Sequence, residues 1–196
     1  MAQRHEPPDS FDFFPTPAWA TRALYTHVVG LAGMVILEPA CGDGAMVKPL
    51  EEVALNVFAS DVFDYGAGYH VDDFLIPGGA PGCDWVVTNP PFALAEQFIE
   101  RGLELAEFGV AVLVRSVFVE SVGRYERLFR DRPPAVVAQF VERVPMVKGR
   151  LDRKASTATS YAWLVWTRAP VKESRIVWIP PCRAVLDRDT DWPAAP

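Results

Sequence analysis

Apolar positions along this chain fall into two rhythms, one of helical spacing and one of short continuous runs, and the two alternate from end to end. Residues 17–30 carry apolar side chains at helical spacing, with Thr16 as a natural cap and Pro17 at the first helical position, where a missing N–H costs nothing. MVILEP at 34–39 is a short apolar run stopped by proline and then by Gly42 and Gly44, the pattern of a buried parallel strand feeding a tight turn. A helix is expected at 44–52, strands at 56–61 (NVFASD) and within YHVDDFL, and a fourth strand in CDWVVTNPPF that must stop at its double proline. Helical spacing returns over 93–108, GVAVLVRSVFV reads as a fifth strand, and a further helix is expected at 121–130. PAVVAQFVERV and SYAWLVWTR complete a set of seven strands. The predicted fold is α/β, a single Rossmann-like, doubly wound sheet over 1–196 with an N-terminal arm at 1–15, and its ligands are expected outside the carboxyl ends of the strands.

Composition narrows the class without naming a function. The 196 residues are 50% hydrophobic and 22% charged, with six Trp and twelve Phe, enough apolar surface for one sizeable core. The longest apolar stretch, 110–119, is broken by Arg115 and falls short of the roughly 18–20 residues a membrane span needs. The acidic, Pro-rich N-terminus lacks the pattern of a secretory leader, so a cytoplasmic protein without membrane attachment is expected. Cys41, Cys83 and Cys182 are too widely spaced for a zinc or redox pair, and reduced thiols with no structural metal are expected. Net charge is −6, but unevenly held: residues 1–100 carry −11 and residues 101–196 carry +5. Arg143, Lys148, Arg150, Arg153 and Lys154 face Asp152 alone within a basic loop at 143–158, which can hold phosphates or simply stay solvated.

The candidate chemistry lies at the predicted strand ends. In Glu38-Pro39-Ala40-Cys41-Gly42-Asp43-Gly44-Ala45 the glycines let backbone pass close to a ligand, although the same turn can merely connect strand to helix. Val47 stands where a dinucleotide fingerprint needs glycine, and no GKS or GKT follows, so NAD and phosphate-loop binding are disfavoured. Asp61 can accept both hydroxyls of a ribose or act as a turn residue. Asp73 with Phe74 can meet an adenine, or form an Asx turn with a core ring. Thr88-Asn89-Pro90-Pro91-Phe92 is the most specific element. Two prolines fix the backbone, the Asn89 side-chain oxygen and the Pro90 carbonyl can hold the two protons of an exocyclic amine, and Phe92 offers an aromatic platform.

In order and spacing these motifs resemble the class I S-adenosylmethionine-dependent methyltransferases, and among them the amino methyltransferases of the N6-adenine type, over about residues 13–118. The resemblance implies S-adenosyl-L-methionine as cofactor. It places Phe14 and Thr16 in a segment closing over the methionine end and Glu38, Ala40, Gly42 and Gly44 in the glycine motif. Asp61 falls at the ribose and Asp73 with Phe74 at the adenine, and Val62 and Asn89 are also expected at the cofactor. Asn89, Pro90, Pro91 and Phe92 become the catalytic motif, and a seven-stranded sheet is implied whose last strand, SYAWLVW, runs antiparallel.

The chain departs from the sequence-specific DNA enzymes in having no room for a separate target-recognition domain, since 29 residues follow Thr167. Specificity is then expected from the basic segment, the N-terminal arm or a partner chain, with self-association another route, and a duplex base would have to be flipped out. Tyr161, Trp163 and Trp166 are expected in the core, not as stacking platforms. The expected reaction is methyl transfer to adenine N6 in nucleic acid, with DNA the favoured polymer. The alternatives are an RNA base (adenine N6 or guanine N2), a protein glutamine N5, and a cofactor-binding inactive subunit of a heteromer.

Overall fold

The computed structural model describes residues 12–78 and 80–192; the first eleven residues of the expected N-terminal arm lie outside them. The strands are β1 (Val35–Glu38), β2 (Asn56–Asp61), β3 (His70–Val71), β4 (Cys83–Thr88), β5 (Ala106–Arg115), β6 (Val136–Phe140), β7 (Tyr161–Thr167) and β8 (Arg175–Ile179). They join in one mixed, mostly parallel sheet of order β3-β2-β1-β4-β5-β7-β6-β8. The first five pair with one another in parallel, β7 runs antiparallel between β5 and β6, and β8 adds to β6 in parallel.

Among the described residues the sheet therefore has eight strands, not the seven expected, and the antiparallel strand, although it is the SYAWLVW segment, is not the last. RIVWI is inconspicuous in the sequence because its apolar run, Ile176–Ile179, is only four residues long between a charged stretch and two prolines. Ile179 is buried and Val177 packs on the core, while Ile176 and Trp178 on the other face are 62% and 66% exposed, as an edge strand allows.

The central strands are buried on both faces, and their alternation sorts side chains into two cores. Trp85, Val87, Ala111, Leu113 and Trp163 meet Trp19 and Leu24 of α1 (Ala18–His27) and Leu50 of α2 (Val47–Glu51). Val86, Val110, Val112, Leu164 and Trp166 meet Phe98, Ile99 and Leu103 of α3 (Ala95–Leu105) on the opposite face. Tyr161, Trp163 and Trp166 are all buried, as their place inside a strand predicts. The expected helix at 121–130 is a short α4 (Val122–Arg124) widening into a π turn over Tyr125–Phe129. A last short helix, α5 (Arg183–Leu186), precedes a C-terminal segment tied to α1 by Arg22, which is 3% exposed and donates to the Glu52 and Asp191 carboxylates at 2.6 Å each.

Thr16 does not cap α1. The cap position is Pro17, whose ψ of 133° is extended, and no side chain caps it. The Thr16 hydroxyl is committed elsewhere, as described below. The fold brings the carboxyl ends of β1, β2, β4 and β5 to one sheet edge, at Glu38, Asp61, Thr88 and Arg115. The order reverses beside β1, whose neighbours are β2 and β4, so the crevice of a doubly wound sheet opens there.

Candidate active site

β1 delivers the chain into a turn that only glycine accommodates at two points. Gly42 and Gly44 have φ of 56° and 85°, the left-handed region, and a Cβ at either would run into the ring of Phe13 or Tyr69 respectively. The Gly42 N–H donates to Asp61 Oδ2 at 2.9 Å, and Asp61 Oδ1 accepts from the Phe63 N–H at 3.1 Å, so the end of β2 braces the turn. Phe13 also stacks against Tyr65 at 4.5 Å between ring centroids, joining the segment before α1 to the loop after β2.

Glu38 is fully buried at the end of β1. Its Oε1 accepts from the Ala40 N–H at 3.1 Å and from the Thr88 hydroxyl at 2.6 Å, while Oε2 is buried with no hydrogen-bond partner among the described residues. Desolvation pushes its carboxyl up to about 8, against the pull of the Thr88 and Ala40 hydrogen bonds and with a smaller upward push from Asp61. An unpaired buried carboxylate oxygen is costly unless a cation or proton meets it. It borders a cavity of about 190 Å³ that Phe14, Thr16, Ala40, Asp61, Val62, Asp73, Phe74 and Asn89 also line. Gly42 and Gly44 shape the turn without lining that cavity. Asp73 forms the Asx turn that its sequence permits, its Oδ1 accepting from the Leu75 N–H at 3.0 Å. Phe74 is both core and cavity wall, 5% exposed and 5.1 Å from the Phe98 ring.

Asn89 follows β4 directly. Its Nδ2 donates to the Phe14 carbonyl at 2.9 Å and to Thr16 Oγ1 at 3.1 Å, while Oδ1 is buried without a partner among the described residues. Pro91, extended at φ −51° and ψ 131°, starts the 3-10 turn Phe92–Leu94, and the Phe92 N–H donates to Asp12 Oδ2 at 2.7 Å. The Phe92 ring lies 5.4 Å from Phe14, and the Arg115 guanidinium sits 3.9 Å from its centroid. Pro91 lines the cavity, whereas Pro90 and Phe92 stand outside its lining.

Three contributors escape the sequence: Asp12, Arg115 and Met146. Arg115 interrupts an apolar run, and a charge at the carboxyl end of a buried strand is itself a signal for a site. Met146 belongs to the basic segment and its Sδ lies 3.8 Å from both Thr16 Oγ1 and Asn89 Nδ2. The Gly149 N–H donates to the Phe13 carbonyl at 2.9 Å, so this segment docks against the cavity wall. Its cations are unequal. Arg153 pairs with Asp189 at 2.6 Å and Asp187 at 3.2 Å, Arg150 with Asp152 at 3.2 Å, and Lys148 is half-buried. Arg143 and Lys154 are exposed.

Among the described residues no group of three His, Cys, Asp or Glu converges on a metal position, the three cysteines are buried and not in disulfides, and no helix is long and apolar enough to cross a membrane.

No family model matches the sequence, and no curated protein matches it. Solved structures do match in fold. A candidate class I S-adenosylmethionine-dependent methyltransferase from Listeria monocytogenes is similar at a TM-score of 0.60 and 16% identity, over 90% of this chain and 68% of that one. A candidate RNA methyltransferase from Pyrococcus horikoshii gives 0.63 and 13%, over 85% and 92%. The modification subunit of a candidate type I restriction enzyme from Vibrio vulnificus gives 0.61 and 15%, over 95% of this chain and 51% of that subunit, so this chain spans about half its length. The chain has the class I methyltransferase fold.

Proposed function

We propose that this protein binds S-adenosyl-L-methionine and transfers its methyl group to an exocyclic amine, with adenine N6 in DNA as the target. The observation that carries the reading is the Asn89 amide, with both donor protons consumed by Phe14 and Thr16 and a buried acceptor left over beside the cavity. The residues present fit the cofactor. Glu38 Oε2 is an unpaired carboxylate oxygen suited to a cationic ammonium, Asp61 stands at the second strand end to accept ribose hydroxyls, and Asp73 with Phe74 bounds an adenine subsite. When bound, that cofactor supplies a methyl group made electrophilic by its sulfonium.

The chain's own contribution is positional. Asn89 Oδ1 accepts an N–H of the target amine and, with the Pro90 carbonyl, turns its lone pair toward the methyl group. Phe92 provides the stacking face and Arg115 yields it to the incoming base. No covalent intermediate on the protein is required. A flat aromatic face suits a heteroaromatic base better than a glutamine side chain, and the likeness to a restriction-enzyme modification subunit supports DNA. The likeness to a candidate RNA methyltransferase keeps RNA as the second reading. Arg143 and Lys154, exposed and without an ion pair among the described residues, are placed to meet phosphates.

Incubation with labelled S-adenosylmethionine and matched panels of single-stranded and duplex DNA, RNA and protein extract tests the assignment. Label is expected in DNA, recovered as N6-methyladenine. Label confined to protein would reject the base assignment, and label confined to RNA would move the target to the second reading.

A further inference from the structure

A neutral amide can turn either end toward a ligand, and only the oxygen end accepts a proton from a target amine. What decides the orientation of Asn89 is a chain of three contacts whose directions follow from chemistry. Met146 Sδ can only accept and lies 3.8 Å from both the Thr16 hydroxyl and Asn89 Nδ2; since Nδ2 only donates, the hydroxyl gives its own proton to the sulfur. That leaves the Thr16 lone pairs for Asn89 Nδ2 at 3.1 Å, and the Phe14 carbonyl, which can only accept, takes the second amide proton at 2.9 Å. Thr16 is 2% exposed and Met146 7%, so water does not compete freely for these groups. With its nitrogen end satisfied, Asn89 must present Oδ1.

We infer that Thr16 is a positioning residue: its hydroxyl, oriented by Met146, fixes the Asn89 amide with its oxygen toward the target amine. This assigns to Thr16 a role distinct from holding the methionine end of a cofactor, and rests on the reading that Asn89 accepts the target amine. It also joins the basic segment to the catalytic amide, because Met146 lies within it.

Thr16→Val keeps the shape and removes the hydroxyl, whereas Thr16→Ser keeps the hydroxyl. Thr16→Val is expected to lower kcat about tenfold or more, the scale of a misaligned reacting group, with cofactor Kd within twofold of wild type. Thr16→Ser is expected to stay within threefold in kcat. In an Asn89→Ala background, adding Thr16→Val should cost nothing further, because Thr16 acts through Asn89. A readout independent of turnover is the side-chain amide of Asn89 by NMR: its protons should be protected from exchange in wild type and Thr16→Ser, and lose protection in Thr16→Val.

Unchanged amide protection in Thr16→Val, an equal defect in Thr16→Ser, or a raised cofactor Kd with kcat intact would each overturn the positioning role. Full activity of Asn89→Ala, or no transfer to any amine by wild type, would instead reject the underlying reading while the NMR comparison still decides the role of Thr16.

Discussion

Replacing Glu38 by Gln isolates the one buried carboxylate oxygen that lacks a partner among the described residues. The substitution keeps the side-chain shape and the Oε1 acceptor used by Ala40 and Thr88, and replaces the ionisable Oε2 by a neutral amide nitrogen. Burial raises the folded carboxyl from 4.5 to about 8. The folded protein then holds a proton that the unfolded chain has released, so wild-type stability falls as pH rises from about 4.5 and levels off above about 8. Every tenfold difference in proton affinity between the folded and unfolded chain is worth about 1.4 kcal/mol, which sets a ceiling of about 5 kcal/mol across the whole window. Between pH 6 and 8 the loss should reach about 2–3 kcal/mol.

Urea unfolding of wild type and Glu38→Gln from pH 5 to 9 reads this directly. The variant is expected to gain on wild type steadily toward pH 8, with the gap constant above it. Saturating S-adenosylhomocysteine, which carries the same ammonium as the cofactor, should stabilise wild type far more than the variant at pH 8. Parallel pH profiles would refute the raised, unpaired carboxyl, and equal stabilisation by the ligand would refute its use as a cation receptor.

Asn89→Ala is expected to lower kcat by about 10²–10³ with cofactor Kd nearly unchanged, while Asp61→Ala raises cofactor Kd first; single-turnover rates and calorimetry separate the two. Gly44→Ala forces a Cβ into the Tyr69 ring at a left-handed φ, and should cost roughly 2–4 kcal/mol of unfolding free energy in urea melts. Asp191→Ala strips one carboxylate from buried Arg22 and is expected to cost about 3 kcal/mol with no change in kcat of the surviving folded protein. Arg143→Gln combined with Lys154→Gln should reduce the salt slope of oligonucleotide binding by about 1–2 while leaving cofactor binding intact, as measured by anisotropy titrations.

The strand ends are legible in the sequence because parallel strands buried on both faces write themselves as apolar runs, and because proline and glycine punctuate where those runs must stop. β2 spans Asn56–Asp61 as read from NVFASD, and the antiparallel SYAWLVW strand sits where expected, although followed by another. β8 escapes because its apolar run, Ile176–Ile179, is only four residues long and stands between the charged stretch 172–175 and two prolines. Thr16 misleads for a related reason: a hydroxyl before a proline fits a helix cap locally, and only the fold reveals that Asn89, 73 positions away, takes that oxygen. The same holds for Met146 and Asp12, whose contacts join distant parts of the chain. Arg115 is visible as an anomaly, but its seat over Phe92 is a contact between the ends of two neighbouring parallel strands that only the fold reveals.

The most direct test of the central claim is nucleoside analysis of DNA after incubation with labelled S-adenosylmethionine, for wild type and Asn89→Ala side by side, with cofactor binding measured on both. N6-methyladenine formed by wild type and lost in a variant that still binds cofactor is the predicted result. Equal product from both proteins would contradict the role of Asn89 and with it the reading of the site.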